Sequence, residues 1–388
     1  MREQCICMGQ SYARDARQAA REFHSQIMHP DLELVVFFCS SKYCFDELAA
    51  EMRQLFGQVQ IVGCTTAGEF GPGGYGRNSL SGVGFLSDGF WTASGLLTDL
   101  GRFNTEMGNK LVQGMLQELE GRVSLSIDGK NSFALLLVDG MSMREELVAH
   151  SLQSSLGQIT LLGGSAGDDG EFVKTWVYSN GEFHANSAVL ILVTTSLPFT
   201  TFLTQHFVSG DERMVVTEAD PANRIVREIN GLAAAEVYAG AIGVSVNDLG
   251  PGHFAASPVV VRIAEADYVR SIQKVNPDGS LTFYCAIDRG VILRVARGEG
   301  LVNNLECTFN RIRREVGEPQ CVIGVDCILR NQEVVQKDLL SRVGDLFRSN
   351  NVVGFNSYGE QMYGLHVNQT FAGVALGRSC GASKGKGD

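Results

Sequence analysis

Continuous apolar runs and helix-spaced apolar stripes alternate along the chain. Residues 33–40, ELVVFFCS, form an unbroken apolar run of the length of a strand buried on both faces. Just after it, Phe45, Leu48, Met52 and Phe56 recur at helical spacing, and Gly57 closes the helix. QVQIVGCTTAGEF then predicts a second strand that runs into a Gly/Thr turn. Strand, helix, strand in this order marks a layered α/β domain. LSGVGFLS and FWTASGLLTDL read as antiparallel strands in a sheet of mixed direction. Asn104 is placed to cap a helix over 105–120, with Met107, Leu111, Met115 and Leu119 on one stripe. FALLLVDG at 133–140 predicts another buried strand. Ser142 to Glu145 fits a capping box that opens a helix running to Leu156, before Gly157.

Further along, Asn180-Gly181 predicts a tight hairpin, and the apolar segment 187–203 reads as a buried strand pair. The polar cluster SGDER and the Asp220-Pro221 turn then break the hydrophobic pattern. This places a domain boundary near 205–212, giving domains 1–208 and 209–377 and a polar, Gly-rich tail 378–388 expected to be disordered. Pro277-Asp-Gly279 predicts another hairpin, and 321–330 a strand. QKDLLSRVGDLFRSN reads as a helix with Leu339, Val343, Leu346 and Phe347 inward. NVVGFNSYGE and LHVNQTFAGVALG supply the last strands. No repeat of solenoid period is visible, although the two halves follow a similar plan. The expected fold class is α/β: two lobes of mixed β-sheets layered with helices.

Composition narrows the classes. With 388 residues, 44% hydrophobic and 19% charged, the chain is neither disordered nor collagenous nor a coiled coil. A net charge of −11 argues against broad binding to nucleic acid, which depends on Lys and Arg neutralising phosphates. The amino-terminal segment lacks the pattern of a signal peptide, so a cytoplasmic protein is expected. The most apolar stretch, interrupted by Pro198, falls short of the roughly 20 residues that span a bilayer, so no membrane span is expected. Ten scattered cysteines without a CxxC pair read as buried thiols and give no support to zinc or covalent haem motifs.

Candidate chemistry collects at strand ends. In GCTTAGEF, Cys64, Thr65, Thr66 and Glu69 follow a strand, and the small residues expose backbone N–H groups. Read structurally, this is a tight turn over a buried cysteine. Read functionally, it is a binding turn, or Cys64 is a nucleophile that needs a base, His366 being the least implausible. LLGGSAGDDG offers Gly164, Ser165, Asp168 and Asp169 for a pocket or a cation. Asp139 ends a third strand. Loops converging on one sheet edge are where α/β folds place ligands. Residues 354–371 concentrate Ser357, Tyr358, Glu360, His366, Asn368 and Thr370. On an alternating strand the last three share one face, either solvated or convergent on a ligand. Among the histidines, His24, His29 and His184 read as surface residues and His150 as a core residue. His206 and His253, each beside a Phe, are the candidates to hold haem iron.

GCTTAGEF, FALLLVDG, LLGGSAGDD, VVTEADPANRIVREING, GFNSYGEQ and HVNQTF, in this order, resemble the FIST sensory domain with its N-terminal and C-terminal parts, over about residues 30–375. Where that family usually has Cys-Ile-Gly-Arg, this chain has Cys327-Ile-Leu-Arg330. The resemblance implies an intracellular module, not an enzyme, that binds a small ligand and signals to a separate histidine kinase or cyclic-di-GMP enzyme. Stand-alone members of this length are similar to the NosP class of haem-binding nitric oxide sensors. This implies a haem cofactor and a gas ligand, with a homodimer also open to it. The alternative is a haem-free sensor of a small metabolite such as an amino acid.

Overall fold

The computed structural model describes residues 5–124, 126–263 and 266–378. The tail from 379 onward lies outside them, as do Lys384 and Lys386.

Two units of the same plan come first. One comprises β1 (Ile6–Ser11), α1 (Ala16–Ile27), β2 (Leu32–Ser40), α2 (Phe45–Phe56), β3 (Gln60–Thr66), a hairpin of β4 (Glu69–Gly71) and β5 (Gly74–Gly76), and β6 (Leu80–Leu86). The next repeats it with β7 (Phe90–Leu97), α3 (Thr105–Glu120), β8 (Ser132–Val138), α4 (Glu145–Leu156), β9 (Thr160–Ser165), the hairpin β10 (Val177–Ser179) and β11 (Glu182–His184), and β12 (Ala188–Thr195).

A third unit opens with β13 (Phe199–Thr204) and is interrupted by an inserted lobe. The lobe holds β14 (Phe207–Ser209), β15 (Met214–Asp220), β16 (Ile225–Ile229), β17 (Leu232–Ala233), α5 (Ala234–Ile242) and α6 (Pro251–Ala256). It continues with β18 (Val259–Ile263), β19 (Ala266–Arg270), β20 (Ile272–Val275), β21 (Leu281–Phe283) and β22 (Ile292–Gly298). The unit then resumes with α7 (Leu301–Val316), β23 (Cys321–Cys327), α8 (Ile328–Gln336), α9 (Leu340–Ser349), β24 (Val352–Ser357), the hairpin β25 (Glu360–Met362) and β26 (Leu365–Val367), and β27 (Phe371–Leu376).

The three units build three six-stranded sheets of one topology. Their orders are β1-β6-β2-β3, β7-β12-β8-β9 and β13-β27-β23-β24, and each is completed by a hairpin from another unit. β10-β11 joins the first, β25-β26 the second and β4-β5 the third, so the hairpins pass cyclically around the molecule. The central strands are parallel and buried on both faces, which explains their unbroken apolar runs. Inner faces of all three sheets share one core containing Val36, Phe38, Leu135, Leu137, Ile323 and Phe355, in which Phe38 stacks on Phe355 at 4.7 Å. Each outer face packs against its own helices, as with Phe23, Phe37 and Met52 in the first unit. The inserted lobe has a separate core around Tyr238, Phe254 and Leu293. The expected α/β class with two lobes of mixed sheets and helices is what the chain forms. One lobe is the three-unit body and the other the nine-stranded insertion.

Several expectations change. Residues 80–86 and 90–97 are both antiparallel strands but lie in different sheets, β6 beside β1 and β2 and β7 beside β12. The 187–203 pair is likewise split, because β12 closes the second unit and β13 starts the third beside β27. Ser142 does not cap α4: its hydroxyl accepts from the Arg144 N–H, and Arg144 occupies the cap position. The 321–330 strand ends at Cys327, where α8 begins. His150 faces solvent, while His24, His29 and His184 are half-buried. Asn104 and Gly57 act as the pattern predicts.

Gly63, Gly163 and Gly354 occupy the same position in β3, β9 and β24. A Cβ at each would run into the backbone carbonyl oxygen of Phe37, Leu136 and Gly324 on the neighbouring parallel strand. Backbone cannot move aside as a side chain can, so Gly354→Ala should exceed the typical overpacking cost of about 1–3 kcal/mol. Gly240→Ala in α5, where nothing lies within 4 Å, should be neutral or stabilise by up to about 1 kcal/mol. Urea denaturation of both variants checks the contrast.

Candidate functional site

The turns after β3, β9 and β24 meet at the centre of the three-unit body. The Ala67 N–H donates to the Asn356 carbonyl at 2.9 Å and the Asn356 N–H to that of Gly68 at 2.7 Å. The Tyr358 N–H donates to the Ser165 carbonyl at 3.1 Å, and the Ser165 N–H to that of Gly359 at 2.9 Å. The Gly167 N–H donates to the Thr65 carbonyl at 2.9 Å and so closes the ring. Cys64, Thr65, Thr66, Glu69, Asp139, Gly164, Ser165, Asp168, Tyr358, Glu360, His366, Asn368 and Thr370 are therefore buried together, although they come from three units.

Two of the turns are chemical copies. Thr66 and Ser79 donate to the Glu69 carboxyl, and Ser357 and Thr370 donate to the Glu360 carboxyl. Each acid ties the start of its hairpin to the strand that follows it. Complete burial pushes both carboxyls up to about 8, against the hydrogen bonds that pull them down. The second unit has Val177 at this place, paired with Cys64 as Glu69 is with Phe355 and Glu360 with Gly164.

Between β9 and β10 the second unit carries a longer loop, and its acids hold the backbone. Asp168 accepts from the N–H groups of Phe172, Val173 and Lys174, and the Tyr358 hydroxyl donates to it. The Phe172 ring stacks on Tyr358 at 4.1 Å. Asp169 accepts from both Ser40 and Ser41. Asp139 accepts from Thr175 and from the N–H groups of Met141 and Asn186. Among the described residues no three His, Cys, Asp or Glu side chains group as a metal site. The Cys64 thiol is fully buried, and burial pushes its pKa far up, so it is held as the protonated thiol.

The third hairpin departs from the other two. Cross-strand pairs at one position are Phe70 with Tyr75, Tyr178 with Phe183, and Gln361 with His366. The first two are ring pairs, 5.6 Å and 5.0 Å apart, that pack with Phe347 and Phe37. The third is polar, yet Gln361 and His366 are just as buried. Gln361 Nε2 donates to Ser165 Oγ at 2.9 Å and to His366 Nδ1 at 3.0 Å. That leaves the other ring nitrogen as the N–H, and burial, helped by Arg224 and Arg270, outweighs the opposing Glu146 carboxylate and holds the ring neutral with a pKa lowered to about 4.

Gln361 Oε1, Asn368 Oδ1 and Asn368 Nδ2 are buried without a hydrogen-bond partner among the described residues, and His366 Nε2 makes no well-formed hydrogen bond, although the Tyr284 backbone acts on the ring as an acceptor. A Cβ on Gly359 would meet His366 Nε2 at 2.7 Å and Asn368 Nδ2 at 3.1 Å, so the orphan atoms adjoin one another. Each such group left dry costs about 1–3 kcal/mol. Four would approach the whole net stability of about 5–15 kcal/mol. These atoms therefore have a partner in solution, either ordered water or a ligand.

The expectation that His366, Asn368 and Thr370 share a strand face changes here. β26 ends at Val367 and Gln369 takes a positive φ of 52°, so the alternation breaks and all three become buried. The inserted lobe covers them. Arg270 Nη1 donates to the His366 carbonyl at 3.1 Å, Ser271 to Gln369 at 2.9 Å, and Gln369 to the Ala255 carbonyl at 3.0 Å. Arg224 bridges Glu145 and Glu146 at 2.8 and 2.9 Å, and the Ala286 N–H donates to Glu146. Gln361 and Arg270 escape a sequence reading. Only the alternation in GEQ, which turns Gln361 away from Glu360, hints at the first, and nothing local marks the second.

His206 lies in a different place, between β13 and β14. Arg330 Nη1 donates to its Nδ1 at 3.1 Å, and its Nε2 faces Glu333 at 3.0 Å, so both ring nitrogens are engaged. Arg330 in turn pairs with Asp326 at 2.9 Å. The adjoining cavity, lined by Phe207, Ala255, Ala256, Gly298, Glu333 and Lys337, has a volume of about 120 Å³. His253 is half-buried on α6, whose residues line the same cavity. Small-molecule pockets run to roughly 300–1,000 Å³. As arranged, His206 has no free nitrogen and the adjoining cavity is too small for a haem, so the residues present do not fit that group.

His366 and the two glutamates act in opposite directions on stability. A histidine lowered to about 4 binds fewer protons folded than unfolded, so it destabilises the fold as pH falls from about 6.5 towards 4. A glutamic acid raised to about 8 binds more protons folded than unfolded, so its contribution is lost as pH rises from about 4.5 towards 8. Glu360→Gln should therefore make the decline between pH 5 and 8 shallower, leaving the share due to Glu69, and leave the acid limb in place. Thermal unfolding across that range reads both limbs.

A FIST N domain family model matches residues 33–232, and a FIST C domain family model matches residues 234–363. No curated protein matches the chain. Both matches meet inside the inserted lobe, and together they cover most of the described structure. FIST domains sense small ligands in signalling proteins. The chain belongs to the FIST family, with both its N and C domains present.

Proposed function

We infer that this protein is a sensor whose small ligand is received at the junction of the inserted lobe and the third hairpin. The observation that carries the reading is the set of four buried polar atoms on Gln361, His366 and Asn368 that lack a well-formed hydrogen bond among the described residues. At the places of Gln361 and His366 the other two hairpins carry aromatic rings, so the fold itself does not demand polarity at that pair. A ligand at this place touches both lobes at once. If it binds one arrangement of the lobes better than another, it shifts the population by that difference in affinity. The lobe contacts through Arg224, Arg270 and Gln369 are polar, and the Phe172 and Tyr284 rings lie 6.0 Å apart beside them. Output passes to a separate signalling partner, a histidine kinase or a cyclic-di-GMP enzyme, and the role is one of regulation rather than catalysis.

Of the two finer readings, the haem-free metabolite sensor is favoured over the haem-dependent nitric oxide sensor. The haem reading requires a much larger cavity to open, and for His206 it also requires the ring to give up Arg330 and Glu333. Native mass spectrometry and thermal shift on the purified full chain test the pair. A bound small molecule, or stabilisation by one member of a metabolite library, is expected, reaching about 2.7 kcal/mol at one hundred times its dissociation constant. Asn368→Leu should abolish it. A Soret band on titration with haem that disappears in both His206→Ala and His253→Ala would instead restore the gas-sensor reading.

A further inference from the structure

The orphan atoms have a definite chemical pattern. Because Gln361 donates to His366 Nδ1, the His366 Nε2–H is a donor. Asn368 contributes one amide donor and one acceptor, and Gln361 Oε1 a second acceptor. Beside them lies the half-buried Arg270, close enough to act on the His366 ring. Its Nη1 donates only to the carbonyls of Val269 and His366, and it has no carboxylate partner among the described residues. One guanidinium and two neutral donors therefore adjoin the cluster, and the Glu146 carboxylate that also acts on His366 is already paired with Arg224.

The carboxylates of the neighbourhood are all committed. Glu146 is held by Arg224 and the Ala286 N–H, and Glu145 by Arg224. Glu360 is held by Ser357 and Thr370, and Asp168 by Tyr358 and its own loop. A buried ammonium needs an opposite charge, and two amide oxygens do not supply one. They suit a hydroxyl or an amide N–H.

We propose that the ligand is a small carboxylate bearing an uncharged hydrogen-bond donor on the adjacent carbon. The carboxylate meets Arg270, His366 Nε2–H and Asn368 Nδ2–H. The neutral donor meets Asn368 Oδ1 and Gln361 Oε1. A 2-hydroxy acid has this pattern, whereas the α-amino acid of the same skeleton adds a charge the cluster leaves unpaired. The inference rests on the site assigned above and adds the class of its ligand.

The test titrates the full-length protein calorimetrically with 2-hydroxypropanoate, 2-aminopropanoate and 2-hydroxypropanamide, and with the same three groups on a four-carbon chain. The hydroxy acid of one skeleton should bind at least tenfold tighter than its amino acid and its amide. Asn368→Leu should remove the binding. Arg270→Gln should remove the preference for acid over amide, and Arg270→Lys should retain it. Circular dichroism confirms that each variant is folded. Equal or tighter binding of the amino acid overturns the ligand class while leaving the site. Binding that survives Asn368→Leu overturns the site, and no binding by any of the six compounds overturns the proposal.

Discussion

The body of this protein depends on the backbone hydrogen bonds that hand each unit's hairpin to the sheet of another. A four-stranded sheet of β1, β6, β2 and β3 ends at β3, whose edge is completed only by β10 and β11 of the second unit. An unpaired inner strand edge is costly because each buried N–H and carbonyl must find a partner. None of the three units can satisfy its own edge, so the units close on one another in a ring. That constraint also brings the turns after β3, β9 and β24 to the centre, where Thr65, Ser165 and Asn356 bond across units. The close backbone approach at Gly63, Gly163 and Gly354 is the local condition for it.

Repetition makes the exceptions readable. Glu69 and Glu360 show what the turn does in its ordinary structural role: a buried acid secures the hairpin through two hydroxyls and an N–H. The pairs Phe70 with Tyr75 and Tyr178 with Phe183 likewise show the ordinary filling beneath a helix. Against these, the polar pair Gln361 and His366 costs stability in a place where the fold accepts aromatic rings. Polar groups kept against such a cost mark a binding function more clearly than burial or charge alone.

The inserted lobe explains why the third hairpin differs. It rises from the loop between β13 and α7 and meets β26, so this hairpin contacts a second lobe as well as α4, while its sisters pack on α9 and α2. At the root of the lobe, the His206, Glu333, Arg330 and Asp326 chain forms a buried polar and charged network. Burial raises the Asp326 carboxyl to about 6 against the pull of Arg330, while for Glu333 burial is outweighed by His206 and Lys337, which hold it at about 2. Such networks fix geometry closely but contribute little net stability. The lobe is thus attached by directional bonds, which suits an element whose position carries a signal.

Local patterning determined the elements. The run at 33–40, the stripe of Phe45, Leu48, Met52 and Phe56, the cap at Asn104 and the hairpin at Asn180-Gly181 follow from side-chain periodicity and turn chemistry within a few residues, and the chain realises them. The strand-end turns, including Thr66 and Glu69 or Ser357 and Glu360, were also legible, since small and polar residues after an apolar run leave few other uses. Tertiary structure alone decided which strands pair. The repeat of three stayed hidden because its identity lies in hydrogen-bonding order, and a lobe divides β13 from the rest of its unit. It alone decided that Asp168 holds its own loop's backbone and Asp169 two serines, that both nitrogens of His206 are engaged, and that Arg270 meets the His366 carbonyl. A sequence records which groups a residue carries, but whether a buried donor meets an acceptor depends on chains distant in sequence, and that meeting sets the chemistry of the site.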